Sequence, residues 1–414
     1  MKIRLFLAAI AALAAFSAYA DEPKDTVKTA ATDTVKTDTI DANKPVFTTL
    51  IEVPITSIKN QNRSGTCWDY STLSFFEAEL LKSKKKEYDL SEVFVTNKNY
   101  MDRAIMKVRM HGDAQFSQGG SAYDVLYVLK NYGICPEDAM ALPGAMIGDT
   151  LNNFNEFFEV MTPYVDAISK SKSKKLTPAW RSGLQGIIDA YLGKVPETFK
   201  HEGKTYTPLE FAKSLGLNWD DYYSFTSYTH HPFYTEFPLE IQDNWRQAMS
   251  WNVTMDELAS IIDYALDKGY TIAWGGDVSD DGFTRDGLAM LVDVKAVQDN
   301  EGSDMAKWLK LTAGERKKKL QKLGVNVPEL TPSQEKRQEE YDNWELTDDH
   351  GMLIYGKAKD QNGRIYYMVK NSWGKTGDYD GIWYMSKNFI VAKAMDIMVN
   401  KNGVPKEILK KLKQ

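Results

Sequence analysis

The stretch that follows Cys67 has apolar residues at helical spacing, which predicts a helix beginning close to this cysteine. The apolar positions are Trp68, Leu73, Phe76, Leu80 and Leu81. Before the cysteine, Gly65 permits a tight turn and Thr66 is a favourable helix cap. In the first turn, the helix dipole and the unpaired N–H groups favour a thiolate. A lone cysteine more often packs as a small hydrophobe, so its partners elsewhere in the chain decide its role.

Helical patterns dominate the first part of the chain, and alternating patterns dominate the last part. Helical patterns cover 67–139 with a break at 118–120, then 151–165, 207–215, 255–268 and the charged segment 303–345. Alternation predicts strands at 47–55, 269–274, 351–357, 364–371 and 381–385. A helical front and a β-rich back predict an α+β fold whose two parts pack across a cleft.

Length and composition set limits on the class of protein. The 414 residues suffice for about two to three domains or subdomains. The 43% hydrophobic and 26% charged content is that of an ordinary globular protein. The net charge of −6 gives no indication of nucleic-acid binding.

The N-terminus has the features of a signal peptide. Lys2 and Arg4 precede an apolar run over 5–16, and small residues at 18–20 fit cleavage before Asp21. The run is short for a membrane span, so we expect a secreted or periplasmic protein without a span after cleavage. A retained signal anchor is the alternative. Residues 21–45 repeat DTVKT and lack aromatics, which predicts a disordered tether and no inhibitory propeptide.

A nucleophilic cysteine needs a base, and the base needs a group that orients it. His350 lies at the start of an apolar strand, and the next strand ends at Asn371. A turn at 361–363 would make these strands neighbours and bring the two side chains together, with Trp373 covering their contact. By periodicity alone, this is a hairpin with a histidine at one end.

The remaining histidines and the second cysteine give no indication of a metal site. His111, His201 and the pair His230-His231 lack the HExxH spacing, and no cysteine pair completes a zinc site. We therefore expect no metal or cofactor, and a packing role for the histidine pair. Cys135 is expected to be a packed structural thiol. A disulfide between it and Cys67, which would abolish thiol chemistry, is the alternative.

Three segments together resemble the active-site segments of the papain-like cysteine peptidases. They are QNRSGTCW at 61–68, DDHGMLIYG at 348–356 and VKNSWG at 369–374, in the family's order of cysteine, histidine and asparagine. The resemblance implies a two-lobed papain-like fold, with a helical lobe and an antiparallel β-rich lobe on either side of a cleft. It also implies hydrolysis of peptides or proteins.

The resemblance assigns roles to individual residues. Cys67 would be the nucleophile, paired as a thiolate with an imidazolium at His350, and Asn371 would orient that imidazole. The Gln61 amide and the backbone N–H of Cys67 would stabilise the oxyanion. The substrate-binding positions it implies are Gly119, Gly120 and Trp373.

Two features resemble the bleomycin hydrolase and aminopeptidase C branch of this family. The interval between Cys67 and His350 is about twice the roughly 130–150 residues usual in papain. Ser64 also replaces the cysteine that most papain relatives use for a disulfide beside the nucleophile. This branch implies aminopeptidase activity, a helical insertion and a possible ring-like hexamer.

The resulting domain organisation has six parts. They are a signal peptide (1–20), a tether (21–45), a helical lobe with the nucleophile (46–140), a mostly helical insertion (141–254), a β-rich lobe with the histidine and asparagine (255–400) and a C-terminal helix or tail (401–414).

Two departures from the family pattern leave alternatives open. The last residues, 407–414, resemble the helix before the arm that closes the cleft in the aminopeptidase branch, so an endopeptidase with an open cleft is one alternative. A non-catalytic papain-like scaffold that binds peptides is another. The second departure is Asp69, where the family usually has a small or apolar residue. Asp69 either stabilises the helix N-terminus or faces the cleft.

Overall fold

The protein is described by a computed structural model that covers residues 43–140, 146–147, 151–300 and 324–412, with isolated positions between 312 and 322. The predicted signal peptide and the tether as far as residue 42 lie outside the described residues, as does most of the charged segment before 324. Within the described part of the chain, no helix is both long and apolar enough to cross a membrane.

The helices lie mainly in the first two thirds of the chain, as the periodicity predicted. They are α1 (Cys67–Lys84), α2 (Glu92–Arg109), α3 (Ala122–Asn131), α4 (Asn155–Ser169), α5 (Ala179–Leu192), α6 (Pro208–Ser214), α7 (Met255–Asp267), α8 (Val294–Asn300), α9 (Gln334–Asp342), α10 (Lys387–Lys393) and α11 (Lys406–Lys411). Capping boxes begin α3, α6 and α7, where a serine or threonine hydroxyl and an acid three residues later satisfy free N–H groups.

The strands form one large mixed sheet and two small hairpins. They are β1 (Thr48–Glu52), β2 (Met146–Ile147), β3 (Leu151–Asn152), β4 (Phe199–His201), β5 (Lys204–Tyr206), β6 (Tyr222–Thr226), β7 (Glu236–Pro238), β8 (Met249–Asn252), β9 (Ile272–Gly276), β10 (Leu288–Ala289), β11 (His350–Lys359), β12 (Ile365–Lys370), β13 (Ile382–Ser386) and β14 (Ala394–Asn400). The main sheet has the order β10-β13-β12-β11-β9-β14-β6-β8-β7, and β1 pairs with β11.

The segment 141–254 is helical only in its first part. Helices α4, α5 and α6 occur there, but β6, β7 and β8 follow and join the main sheet. The predicted helix at 151–165 begins only at Asn155, because Leu151–Asn152 pairs with β2 instead. The boundaries of the predicted domains remain predictions.

The hairpin of β11 and β12 brings the start of one strand beside the end of the other. The two strands are antiparallel, with Leu353 opposite Lys370, so His350 at the start of β11 lies near the residue that follows β12. On its other side, β11 pairs with β9, where His350 is opposite Gly276. This hairpin therefore places both predicted site residues at the same end of two neighbouring strands inside the sheet.

A glycine in β11 allows helix α1 to approach the sheet closely. A Cβ atom at Gly351 would lie 2.7 Å from Ser71 Oγ, 3.1 Å from Trp68 Cα and 3.3 Å from the carbonyl carbon of Cys67. Only a residue without a side chain fits there. Apart from Cys67 and its last four residues, α1 is buried along its length, which is typical of a helix enclosed on all sides. The structure confirms the predicted α+β fold class, and the start of α1 lies directly over the start of β11.

Candidate active site

The imidazole of His350 is held by Asn371. His350 Nε2 lies 2.7 Å from Asn371 Oδ1, and the backbone N–H of Ser372 donates to the same oxygen at 2.7 Å. The Ser372 N–H requires an acceptor, which identifies this atom as the amide oxygen. His350 Nε2 therefore carries a proton, and Nδ1 is left free to accept one. The ring of Trp373 covers this pair, with its centroid 4.8 Å from that of His350.

Cys67 lies at the N-terminus of α1 and is half-buried. It lines the same pocket as His350 and Gly351. The structure thus brings the predicted nucleophile and base to one pocket, from parts of the sequence that are far apart.

Burial disfavours the charged form of Cys67 and the charged form of His350. It raises the pKa of the Cys67 thiol to about 12, and the negative charges of Asp348 and Asp243 contribute to the rise. Burial also lowers the pKa of His350 to about 4, against the opposing effect of the hydrogen bond to Asn371. A thiolate and an imidazolium can therefore form here only together, since each charge then offsets the other.

The loop before Cys67 is held by serine and threonine hydroxyls. Ser64 Oγ donates to the carbonyl oxygen of Gln61 at 2.7 Å and lies 2.6 Å from Thr66 Oγ1. Thr66 occupies the N-cap position of α1, but its side chain makes no capping hydrogen bond. The expectation of a threonine cap is therefore wrong, because that hydroxyl bonds to Ser64 instead.

Gln61 connects this loop to the segment that follows Asn371. Its Oε1 accepts a hydrogen bond from Ser372 Oγ at 2.5 Å, and its backbone N–H donates to the carbonyl oxygen of Ser372 at 2.8 Å. Its Nε2 donates one hydrogen to the carbonyl oxygen of Ser64 at 2.6 Å. An amide nitrogen has two hydrogens, so one remains for a substrate oxygen.

Gln118 supports the site and was not recognised from the sequence as a functional residue. Its Oε1 accepts from the backbone N–H of Gly65 at 2.6 Å, and its carbonyl oxygen accepts from Trp68 Nε1 at 3.0 Å and Tyr100 OH at 3.1 Å. In the sequence, only its position just before the predicted Gly119-Gly120 pair could have indicated a role for Gln118.

Side chains at positions 119 and 120 would collide with residues that line the pocket. Gly120 lines the pocket, and a Cβ there would lie 2.9 Å from the Trp68 ring. A Cβ at Gly119 would collide with the carboxylate of Asp243. The close approach of neighbouring side chains thus accounts for both glycines.

Asp69 is fully buried, and neither of its carboxylate oxygens has a hydrogen-bond partner among the described residues. Burial raises its pKa well above the usual value, and the negative charge of Glu92 adds to the rise. It does not line the pocket of Cys67. Of the two alternatives for Asp69, a side chain facing the cleft is therefore not the arrangement observed.

The other candidate residues lie away from the pocket. Cys135 is fully buried, and both cysteines are free, so the alternative of a disulfide is not what the structure contains. In the described part of the chain, one group of three potential metal ligands comprises His230, His231 and Glu240. Each imidazole Nε2 lies within hydrogen-bond distance of the Glu240 carboxylate, at 3.1 and 3.0 Å, which already accounts for the cluster.

Comparison with known proteins shows which proteins this chain resembles. Residues 302–414 match the model of the Peptidase C1-like family. Among solved structures, PepW from Lactobacillus rhamnosis has a TM-score of 0.64 at 18% identity, covering 88% of this chain and 84% of that one. These findings confirm the papain-like fold.

The similar curated proteins are peptidases. Aminopeptidase G of Lactobacillus delbrueckii subsp. lactis is 21% identical over 399 residues, which cover 87% of this chain and 84% of the relative. Mitochondrial cysteine proteinase 1 of Saccharomyces cerevisiae is 23% identical, with coverages of 88% and 79%. Aminopeptidase C of Lactobacillus helveticus is 22% identical, with coverages of 88% and 84%. These similarities confirm the prediction of a cysteine-type peptidase resembling the aminopeptidase C and bleomycin hydrolase branch.

Proposed function

We propose that the protein is a secreted, aminopeptidase-like cysteine peptidase that uses Cys67, His350 and Asn371 for catalysis. The observation that carries this proposal is the 2.7 Å contact between His350 Nε2 and Asn371 Oδ1, made by a histidine that lines the same pocket as Cys67. That contact leaves Nδ1 of His350 free to take the thiol proton. A scaffold that only binds peptides has no need of this arrangement.

The reaction proceeds through a thioester. The Cys67 sulfur attacks the scissile carbonyl carbon while its proton passes to His350, and the C–N bond then breaks as His350 protonates the departing amine. Water, deprotonated by His350, hydrolyses the thioester and restores the thiol. The Gln61 amide and the Cys67 backbone N–H stabilise the oxyanion, a contribution typically worth about 10²–10³ in rate for each donor. Trp373 keeps water away from the bond between His350 and Asn371.

Substitution of the nucleophile tests the assignment. We expect Cys67→Ala to abolish both hydrolysis of fluorogenic peptide substrates and labelling by thiol-directed epoxide inhibitors. Cys135→Ala is the matched control, because the Cys135 thiol is buried and lies outside the pocket. It should retain labelling at Cys67. Unchanged turnover by Cys67→Ala would refute the proposal.

Exopeptidase action is tested by comparing substrates that have a free α-amine with N-acetylated ones. Preference for the free amine supports aminopeptidase activity, and efficient cleavage of blocked internal bonds supports the endopeptidase alternative. Export is tested by fractionation of the source cells and by N-terminal sequencing, which should begin at Asp21. The possible hexamer stays a prediction that light scattering can check.

A further inference from the structure

Apart from Cys67 and His350, every ionisable side chain that lines the pocket beside Cys67 is an acid. Asp243, Asp348, Asp349 and Asp396 line it, and no lysine or arginine of the described residues does. Carboxylates at such density beside a nucleophile are unfavourable unless a cation offsets them.

Asp349 is already satisfied by its neighbours. Its carboxylate accepts from the backbone N–H of Ser279 at 3.1 Å and from Thr347 Oγ1 at 3.0 Å. It therefore has little capacity for a ligand, in contrast to the other three acids. We call Asp243, Asp348 and Asp396 the acidic cluster.

The carboxylates of the acidic cluster are poorly compensated. Asp348 is half-buried and has no hydrogen bond or ion pair with any residue that the structure describes. Asp243 has only long contacts, with Arg103 Nη2 and Ser117 Oγ both at 3.5 Å. Two of the three carboxylates thus retain most of their capacity to accept hydrogen bonds.

Asp396 reaches the pocket through a gap left by a glycine. It lies opposite Gly275 in the pairing of β14 and β9, and a Cβ at 275 would lie 2.8 Å from Asp396 Oδ1. Ser224 Oγ donates to the other oxygen, Oδ2, at 3.2 Å. Oδ1 has no donor among the described residues, so it is available to a ligand.

A polar group outside the cluster also lacks a partner in this pocket. Thr72 of α1 lines it and is only 1% exposed, yet its hydroxyl makes no hydrogen bond within the described part of the chain. A buried hydroxyl without a partner costs free energy, which a polar ligand in the pocket would recover. This observation is independent of the carboxylates and also indicates a polar ligand.

Burial raises the pKa values of Asp348 and Asp396 in the acidic cluster. Burial raises the pKa of Asp348 well above its usual value, and the negative charges of Asp243 and Asp396 add to the rise. Burial raises the pKa of Asp396 to about 6. A bound cation would reverse these effects, because it favours the ionised carboxylates.

We propose that the acidic cluster of Asp243, Asp348 and Asp396 is a subsite that binds a cationic group of the substrate. The group is an ammonium or guanidinium, supplied either by a free N-terminus or by a basic side chain. The inference rests on the proposed function, since the cation belongs to a peptide whose scissile bond lies at Cys67. The bound cation also offsets the charges of Asp348 and Asp243, which raise the pKa of Cys67, and so favours the thiolate.

Isosteric substitutions test the subsite in the full-length chain. Asp348→Asn and Asp396→Asn each remove one charge at almost constant shape, and Asp256→Asn removes an exposed aspartate on α7, outside the pocket. Three fluorogenic substrates separate the sources of the cation. One has a free α-amine and neutral side chains, one is N-acetylated with a basic side chain, and one is N-acetylated and neutral.

We expect Asp348→Asn to lower kcat/KM by about tenfold or more for at least one cationic substrate and by less than about threefold for the neutral one. The affected substrate identifies the source of the cation. Asp396→Asn should lower kcat/KM for the same substrate, whereas Asp256→Asn should leave kcat/KM unchanged for all three. Epoxide labelling of Cys67 in each variant verifies that the site is folded.

Equal effects of Asp348→Asn on cationic and neutral substrates would overturn the inference and leave the proposed function intact. A wild-type enzyme that prefers the neutral substrate would likewise overturn the inference and leave the proposed function intact. If the wild type cleaves none of the three and Cys67 is not labelled by the epoxide, the proposed function fails, and this inference fails with it.

Discussion

The side-chain amide of Asn371 determines which nitrogen of His350 carries the proton. Because Asn371 Oδ1 accepts from both Ser372 N–H and His350 Nε2, the imidazole presents an unprotonated Nδ1. Burial raises the pKa of the thiol and lowers that of the imidazole. When no substrate is bound, burial thus disfavours a charge on either group alone.

The pH dependence of alkylation at Cys67 checks this state. While the pH stays below the thiol pKa of about 12, each increase of one pH unit raises the fraction of thiolate roughly tenfold. We expect the rate of reaction with iodoacetamide to rise steadily from pH 6 to pH 9. Cys67→Ala provides the background rate. A rate that is already constant at pH 6 would instead indicate a stable thiolate and imidazolium pair in the free enzyme.

Asp69 makes the stability of the fold depend on pH. Its pKa is raised in the folded state, so the folded protein binds the proton more tightly than the unfolded chain does. The free energy of unfolding should therefore fall as pH rises above about 4 towards the folded pKa. In Asp69→Asn this contribution disappears, and the loss of stability between pH 5 and pH 8 should shrink measurably.

Denaturant unfolding at several pH values measures this difference. Asp256→Asn is the matched control, because Asp256 is exposed and should leave the slope unchanged. An identical pH slope in the wild type and Asp69→Asn would contradict the assignment. Epoxide labelling of Cys67 should persist in Asp69→Asn, since Asp69 does not line the pocket.

At the scale of elements, the loop from Gln61 to Thr66 is positioned by Gln118 as well as by its own hydroxyls. In the turn that leads into α1, the Gly65 N–H donates to Gln118 Oε1 at 2.6 Å, and Gln118→Ala removes this acceptor. We expect a loss of about 1 kcal/mol in stability and a fall of about tenfold in kcat/KM, because Cys67, the proposed nucleophile, is displaced.

A neighbouring glutamine provides the control for this substitution. Gln115 is exposed, and its side chain makes no hydrogen bond with the described residues, so Gln115→Ala should alter neither quantity. Thermal unfolding and steady-state kinetics measure both variants. Wild-type kinetics for Gln118→Ala would show that the loop holds its position without this contact.

The elements next to the motifs could be predicted from the sequence, and their distant partners could not. The hairpin of β11 and β12 followed from alternation around the turn at 361–363, and α1 followed from its helical spacing. The acidic cluster could not be predicted, because Asp243, Asp348 and Asp396 come to line one pocket only through tertiary contacts, among them the pairing of β14 with β9. Strands β6 to β8 were missed, since their pairing with β14 and with one another overrides their local pattern.

At the scale of the whole molecule, one lysine connects the helices to the active-site loops. Lys59 Nζ lies 2.6 Å from Asp89, 2.7 Å from Glu92 on α2 and 3.3 Å from Glu77 on α1. Its carbonyl oxygen accepts from the N–H of Gly374, in the segment after Asn371. Burial opposes the charge on Lys59, but the three acids outweigh that effect and raise its pKa.

Removing this charge should destabilise the entire fold. Lys59→Met leaves Glu77 and Glu92 buried without their cation, and we expect the free energy of unfolding to fall by about 3–5 kcal/mol. Lys86→Met, which breaks the exposed pair with Glu202, is the control and should have no measurable effect. Chemical denaturation measures both. Equal stability of the two variants would show that the buried acids are neutral without Lys59.

The contrast between the two cysteines gives the chain an internal standard for the fraction of molecules that are folded. Cys67 is half-buried and lines the pocket, whereas Cys135 is completely enclosed. A small thiol-counting dye should therefore find one group per native chain and two per unfolded chain. The ratio of the two readings reports the folded population of any preparation or variant, without reference to a substrate.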